Sequence, residues 1–366
     1  MKLLTLQELQ TIAEQYIDET KIGVKNWKPD QNFYTGLLEK IVASIMIDGD
    51  YTEDLGFMDG FRIETGESIE EYFIGFASPE NQDDDGTNND KPAYPDALPS
   101  TYSVRFDPKI IKVSERYNKL QNSFSNETDF RNYITRVVKR LYDSLTLYLN
   151  ELKRELLGKI ANRAVGGEAT AWVNNHAFKR GDMIKSGSAP DLKLGVALKD
   201  FTSATSYEND VTNGNILELR TFETIATPTD TTSGEAFIKS IKSVAETFKY
   251  PDQGDSLNGN IAGVAPKYIL LLKQGIMPSL QVDTFAGAFN PEQLSFEVEQ
   301  KVVKNFGSNE NVIAMLIDER AVKLHNCSRF VLTHLNADGA FMNHVLHDEE
   351  LGFYSPNTKI HVWTKA

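Results

Sequence analysis

Cys327 is the only cysteine in this 366-residue chain. One thiol makes neither an intrachain disulfide nor a multi-thiolate metal site. Apolar runs are short as well. The longest, Ile41–Ile47 (broken by Ser44) and Tyr268–Leu272, fall far below the roughly 18–20 residues that carry a helix across a bilayer, so no membrane partner is expected. Met1–Leu4 is too brief for the core of a signal peptide, and Gln7 and Glu8 follow at once, which predicts folding in the cytoplasm. Walker loops, dinucleotide fingerprints, nucleophile elbows and zincin helices are all missing. Basic residues are scarce in one place. Between Asp48 and Pro99 stand 15 acids and only Arg62 and Lys91, a balance of −13, whereas the rest of the chain holds 37 acids and 36 bases. The net charge of −14 therefore belongs to one acidic appendage on a near-neutral body. A reader of duplex DNA is more often basic overall.

The strongest periodic signal is a helix over 126–165. Phe130, Tyr133, Ile134, Val137, Val138, Leu141, Leu145, Leu149, Leu152, Leu156 and Ile160 recur at three-or-four spacing with no proline, and Gly166-Gly167 offers a C-cap. At 1.5 Å per residue such a helix spans on the order of 60 Å. A rod of that length braces something broad, and it stands between the acidic, strand-and-loop insertion and a mixed α/β half. That arrangement points to a shell-building protein rather than an enzyme.

Other elements follow from local chemistry. Thr5-Leu-Gln-Glu8 is a capping box opening an amphipathic helix over 5–21. Glycines at 49, 56, 60, 66 and 75 punctuate the insertion into short pieces such as Phe61–Ile63 and Tyr72–Phe76, and Tyr102–Val113 reads as its return strand. Thr232-Ser-Gly-Glu235 predicts a second capping box, Tyr268–Leu272 a buried strand, and Asn290-Pro-Glu-Gln293 a third helix ending by Gly307. Val312–Ile317, Phe330–Leu335 and Lys359–Thr364 read as further strands.

Two metal chemistries have partial support. Asn81-x-Asp83-x-Asp85-Gly86 copies the first half of an EF-hand loop, but its twelfth position is Pro92 rather than a bidentate glutamate. Five of the six histidines lie from His325 to His361; His344, His347 and His361, or Cys327, could supply a zinc site. A metal-dependent hydrolase is thus one alternative. Strand and loop histidines more often simply hydrogen-bond, and no catalytic residue, cofactor or metal is assigned.

The order of segments resembles the major capsid protein of tailed bacteriophages, an α+β fold of the Hong Kong phage type that encapsulin compartments share. The resemblance also rests on Tyr102–Tyr117 running into the long helix, on Val282-Asp-Thr-Phe-Ala-Gly287, and on Asp318-Glu-Arg-Ala321 leading to Phe341-Met-Asn-His344. It implies an N-terminal arm (1–47), an extended β-loop (48–113), a peripheral domain (114–235) built on a spine helix (126–165), an α/β axial domain (236–320) and C-terminal strands (321–366) that complete the fold. It further implies a homo-oligomer of hexamers and pentamers in an icosahedral virion shell, assembled in the host cytoplasm around double-stranded DNA with scaffolding and portal proteins. A compartment holding protein cargo is the other use of the same fold. Candidate assembly contacts join Asp83, Asp84 and Asp85 to Arg136, Lys139 and Arg140, or to Lys109 and Lys112, of a neighbouring copy.

Overall fold

The computed structural model describes residues 55–63, 69–74, 97–100, 102–116, 127–188, 191–276, 298–336, 339 and 341–366. The long rod is its central feature. Helix α1 (Glu127–Ala164) runs for 38 residues, about 57 Å at the standard rise. From Leu141 onward its inward stripe (Leu141, Leu145, Leu152, Leu156, Leu157, Ile160, Ala161, Ala164) is buried. Gly166, with φ +78°, ends it. The amide of Gly166 donates to Arg163 O at 3.0 Å and that of Gly167 to Asn162 O at 2.8 Å, the paired bonds of a Schellman cap that only a left-handed residue closes cheaply.

Before α1, strands β1 (Glu71–Ile74) and β2 (Ala97–Ser100) pair antiparallel as a ribbon. β3 (Ser103–Arg105) and β4 (Lys109–Arg116) follow. After it, β5 (Thr170–Ala171), β6 (Ala177–Phe178), β7 (Met183–Ser186), β8 (Lys193–Ala197), β9 (Phe201–Thr202), helix α2 (Tyr207–Thr212) and β10 (Ile216–Glu218) form a small lobe. Its sheet runs β10-β8-β7-β5, beside the pair β6-β9. The buried Asp210 carboxylate ties this lobe together, accepting from Trp172 Nε1 at 3.0 Å, Asn215 Nδ2 at 3.1 Å and Ala204 N at 3.2 Å.

The remaining elements are β11 (Phe222–Ile225), α3 (Thr231–Thr247), β12 (Tyr268–Lys273), β13 (Glu299–Val303), β14 (Val312–Asp318), β15 (Val322–Asn336), β16 (Phe341–Tyr354) and β17 (Ile360–Lys365). A five-stranded mixed sheet runs β11-β17-β14-β12-β13. It is covered on both faces, which is why β12 reads as a continuous apolar run. Ile269 and Leu271 join the core under α1, and Leu270 and Leu272 join Phe237, Ile241 and Trp363 under α3. The buried Lys359 ammonium donates to the carbonyls of Phe248 (3.2 Å), Thr247 and Tyr250. A cation there complements the C-terminal end of the α3 dipole.

Contact between α1 and the segment after β13 is very close. A Cβ on Gly158 would lie 2.7 Å from Phe306 O and 3.2 Å from Gly307 Cα, so the helix crosses there only because position 158 has no side chain.

Three local expectations are corrected. The capping box of α3 uses Asp230, whose side chain accepts from Ser233 N at 2.8 Å, rather than Thr232 and Glu235. A carboxylate is a stronger acceptor than a hydroxyl and also favours the positive helix end. The helix expected to open at Asn290 and end by Gly307 does not run through 299–303, which instead form β13, parallel to β12; residues 277–297 lie outside the described residues. Alternate burial along β13, with Lys301 and Val303 inward, shows a period of two overriding the helical reading once an open sheet edge is available. Finally, the strand expected over Phe330–Leu335 extends to 15 residues and pairs along its length with β16, an element absent from the sequence reading.

Candidate assembly surface

The hairpin β15–β16 carries β3 and β4 along the free edge of β16, and α1 packs across β4, β15 and β16. This sheet also holds the root of the acidic insertion. Leu55, just before a 3-10 turn over Gly56–Met58, and Met58, its last residue, are fully buried in the main core. The amides of Gly60 and Ile63 donate to Leu324 O (2.8 Å) and Asn326 O (2.9 Å). Lys323 Nζ donates to Phe57 O at 2.6 Å, and Lys153 of α1 pairs with Asp59 at 2.6 Å. His325 Nδ1 lies 3.0 Å from Phe61 O, its ring edge-on to the Phe61 ring. Further along, the Glu71 carboxylate accepts from Ser355 Oγ at 2.6 Å and Asn357 Nδ2 at 3.0 Å. The insertion is therefore bolted to both the sheet and the spine at its base.

On the face of the hairpin toward α1, charge is buried. Arg329 Nε donates to Asp348 Oδ1 at 2.6 Å and Nη2 to Glu350 Oε1 at 2.7 Å; Asn326 Nδ2 donates to the same Glu350 oxygen at 2.8 Å. All three charged side chains are at most 6% exposed. Burial pushes both carboxyls up, Glu350 to about 7, with the adjacent Asp348 charge adding to the rise and Arg329 opposing it. Asn326 and Arg329 are three residues apart and would face opposite sides of a regular strand. The register shifts between Asn326 and Ser328, so Cys327 is the extra residue of a bulge, and the bulge brings both side chains to Glu350.

The opposite face is apolar and partly open, with Val345 buried at 6% exposure. Cross-strand pairing sets Phe330, His347 and Ile110 in one row and Leu332, Val345 and Lys112 in the next. Phe330 stacks on His347, with centroids 4.7 Å apart and planes at 12°. Phe330, Ile110 and Leu332 are 46%, 51% and 51% exposed. A polar row of His334, Asn343 and Ser114 closes one end, through contacts of 3.1 Å and 2.6 Å. At the other end Arg105 pairs with Glu349 at 2.5 Å.

The candidate contact residues fall in different places. Lys139 and Arg140 are exposed on α1, and Lys109 and Lys112 are exposed on β4. Arg136 lies on α1 one turn before Arg140. Asp83, Asp84 and Asp85 lie outside the described residues, as do the arm helix over 5–21 and the phrase Val282–Gly287. The zinc candidates do not share a site. His344 and His347, three apart on β16, point to opposite faces. His361 sits in the other sheet with Nδ1 2.7 Å from Arg220 O, and Cys327 occupies the bulge. Among the described residues no three His, Cys, Asp or Glu side chains gather as a metal-ligand set. Burial holds His344 down at about 4.

The buried Arg329 cluster and the two-row apolar face were missed in the sequence. A signal for the hairpin was present: Asp338-Gly339, a favoured hairpin dipeptide, stands between two segments of alternating character. The run His347-Asp-Glu-Glu350 hid the second strand.

A family model for the Phi29-like phage major capsid protein matches residues 5–364. Among solved structures, the chain is similar to one in the capsid structure of Staphylococcus phage Andhra (TM-score 0.52, 12% identity, covering 88% of this chain and 87% of that one). It is also similar to one in a structure of the head fiber and inner core protein gp22 of native bacteriophage P68 (TM-score 0.51, 11% identity, covering 88% and 86%). At these identities the likeness is one of fold. No curated protein sequence matches the chain. With the family match running over nearly its whole length, the chain belongs to the Phi29-like phage major capsid proteins and is a structural subunit of a virion shell.

Proposed function

We propose that copies of this chain close into an icosahedral head as hexamers and pentamers, and that the head encloses double-stranded DNA. The observation that carries this reading is the family match over residues 5–364. The physics of the subunit supports it. A rigid 38-residue spine bolted to the base of an insertion transmits position from one interface to the next. Closed symmetric assembly then multiplies many modest contacts. A near-neutral body suits an inner wall that meets DNA without reading its sequence. Scaffolding and portal proteins are the partners such a shell uses, and the host cytoplasm is where it assembles.

Within that reading the acidic insertion docks on a neighbouring copy, with Asp83, Asp84 and Asp85 steering toward the exposed Lys139, Arg140, Lys109 and Lys112 and toward Arg136. Exposed charges of this kind set encounter rate and register more than affinity. Negative-stain electron microscopy of the purified chain, alone and with scaffold, tests the shell: closed particles or capsomer rings are expected, and a persistent monomer under both conditions refutes it. Reversing Asp83–Asp85 to lysine is expected to slow assembly and flatten its salt dependence; unchanged kinetics across salt would remove the steering role.

A further inference from the structure

We infer that Glu71 is a latch: its carboxylate, held by Ser355 and Asn357, sets the direction in which the β1–β2 ribbon leaves the body, and its release lets the ribbon move while the rest of the fold stays intact. The inference concerns one subunit and stands apart from the shell reading. The catch is the turn between β16 and β17, where the hairpin sheet gives way to the five-stranded sheet. Ser355 and Asn357 are 2% and 6% exposed. Bonds within the turn fix its shape: Thr358 Oγ1 donates to Ser355 O at 3.1 Å, and Asn357 N to Ser355 Oγ at 3.3 Å. The loop beside it adds two more, since the amides of Leu257 and Asn258 both donate to Pro356 O, at 3.0 and 3.2 Å. The same surroundings aim the two side chains. Asn357 Oδ1 accepts from Asn258 Nδ2 at 3.2 Å and from Asn260 Nδ2 at 2.9 Å, which turns its own Nδ2 toward the ribbon. Ser355 Oγ already accepts from Asn357 N, so its hydroxyl hydrogen is the group left to donate. The turn thus presents two buried donors in fixed positions, and an acceptor-only carboxylate satisfies both. Glu71 Oε1 and Oε2 accept from Ser355 Oγ at 2.6 and 2.8 Å, and Oε2 accepts from Asn357 Nδ2 at 3.0 Å.

The ribbon differs from its root in how it is held. At the root, Leu55 and Met58 are fully buried in the main core, and the amides of Gly60 and Ile63 bond to β15. In the ribbon, Glu70 and Tyr72 are exposed and Ile69, Glu71 and Phe73 are half-buried. None of these five joins a buried apolar cluster. β1 and β2 pair with each other as a separate two-stranded sheet. A further tie, Ile69 N to Ser103 Oγ at 3.1 Å, lies two residues nearer the root. A segment with few buried apolar contacts opens locally at a fraction of the free energy of global unfolding. Loss of the Glu71 bonds therefore frees the ribbon beyond Ile69 and leaves the core and the root in place.

Pulsed electron spin resonance on the unassembled full chain tests this. In a Cys327→Ser background, one nitroxide is placed at Ser144→Cys, exposed on α1. The other is placed at Tyr72→Cys in the ribbon or, as a control, at Arg62→Cys in the root. The pair at 144 and 72 is expected to give one narrow distance distribution, whose width Glu71→Ala roughly doubles. Ser355→Ala, made on the body rather than on the ribbon, is expected to broaden it as well. The pair at 144 and 62 is expected to stay narrow in both variants. A ribbon distribution that neither variant broadens, one already broad in the unsubstituted chain, or broadening at the root equal to that in the ribbon overturns the inference.

Discussion

In the five-stranded sheet, alternation sends Ile269 and Leu271 into one apolar cluster and Leu270 and Leu272 into another. In the β15–β16 hairpin it sends Arg329, Asp348 and Glu350 inward and Phe330 and Leu332 outward. Both sheets are braced by helices, yet they are held by different forces. Each fully buried aliphatic of the first contributes about 1.5–3 kcal/mol, and any neighbouring apolar side chain is an adequate partner. The buried ions of the second give little net stability, because desolvation offsets most of their attraction. They are demanding about partners instead. A one-residue slip of the hairpin would turn every side chain to the other face and strand three ions without their bonds. The charged face fixes register, and that register aligns the apolar rows on the outside.

Arg329→Ala gives the largest break in this contrast. It leaves two buried carboxylates without their cation, so a loss of about 3–5 kcal/mol in unfolding free energy is expected. Replacing all three charges together (Arg329→Met, Asp348→Leu, Glu350→Leu) is expected to be near neutral in stability. The cost would then appear as heterogeneous strand pairing, readable as extra amide peaks from β15 and β16. Equal losses for the single and triple variants in denaturant titration would show that the ions stabilise rather than specify.

A pH titration sharpens the same point at smaller amplitude. The folded chain keeps the Glu350 carboxyl protonated up to about 7, well above its ordinary value of 4.5, chiefly because it is buried. Between those values the folded state binds more protons than the unfolded state, so stability falls as pH rises through that window. The contribution is fully present below about 4.5 and is lost above about 7. Glu350→Gln cannot ionise, so its unfolding free energy is expected to lose this downward slope. Relative to the unsubstituted chain it gains at pH 8 what it lacks at pH 5. Parallel curves for the two chains would place the proton elsewhere.

How much of this was legible beforehand follows the same division. The spine helix was read to within a residue at each end, 126–165 against Glu127–Ala164, because its apolar stripe is a property of neighbours in sequence. So were the Gly166 cap and the buried strand at Tyr268. The hairpin was not, because Arg329 meets Asp348 and Glu350 across a bulge some 20 residues away in sequence, and no local period encodes that. The polar run His347–Glu350 argues against a buried strand until the cation that neutralises it is in place. Likewise β13 became a strand because the edge of β12 was open to it, which its own sequence does not reveal. Of the contact residues, Lys139, Arg140, Lys109 and Lys112 were legible as exposed cations. The apolar rows were not, since Ile110, Phe330 and His347 come from three strands.

The smallest effect is the most discriminating. Phe330→Ser removes an aromatic ring that is 46% exposed and stacks on His347, so the isolated subunit should change by about 0.5 kcal/mol or less, as surface substitutions do. In the five-stranded sheet a comparable truncation, Leu271→Ala, should cost about 2–5 kcal/mol. If Phe330 were part of a fold-stabilising core, thermal unfolding of the subunit would register its loss. If it belongs to a surface that another copy covers, unfolding of the subunit stays put while the concentration needed for assembly rises. Paired measurements on the one variant, subunit melting and critical concentration, therefore separate the two roles: a lowered melting temperature with unchanged critical concentration assigns the outer rows to the fold, and the reverse assigns them to the shell.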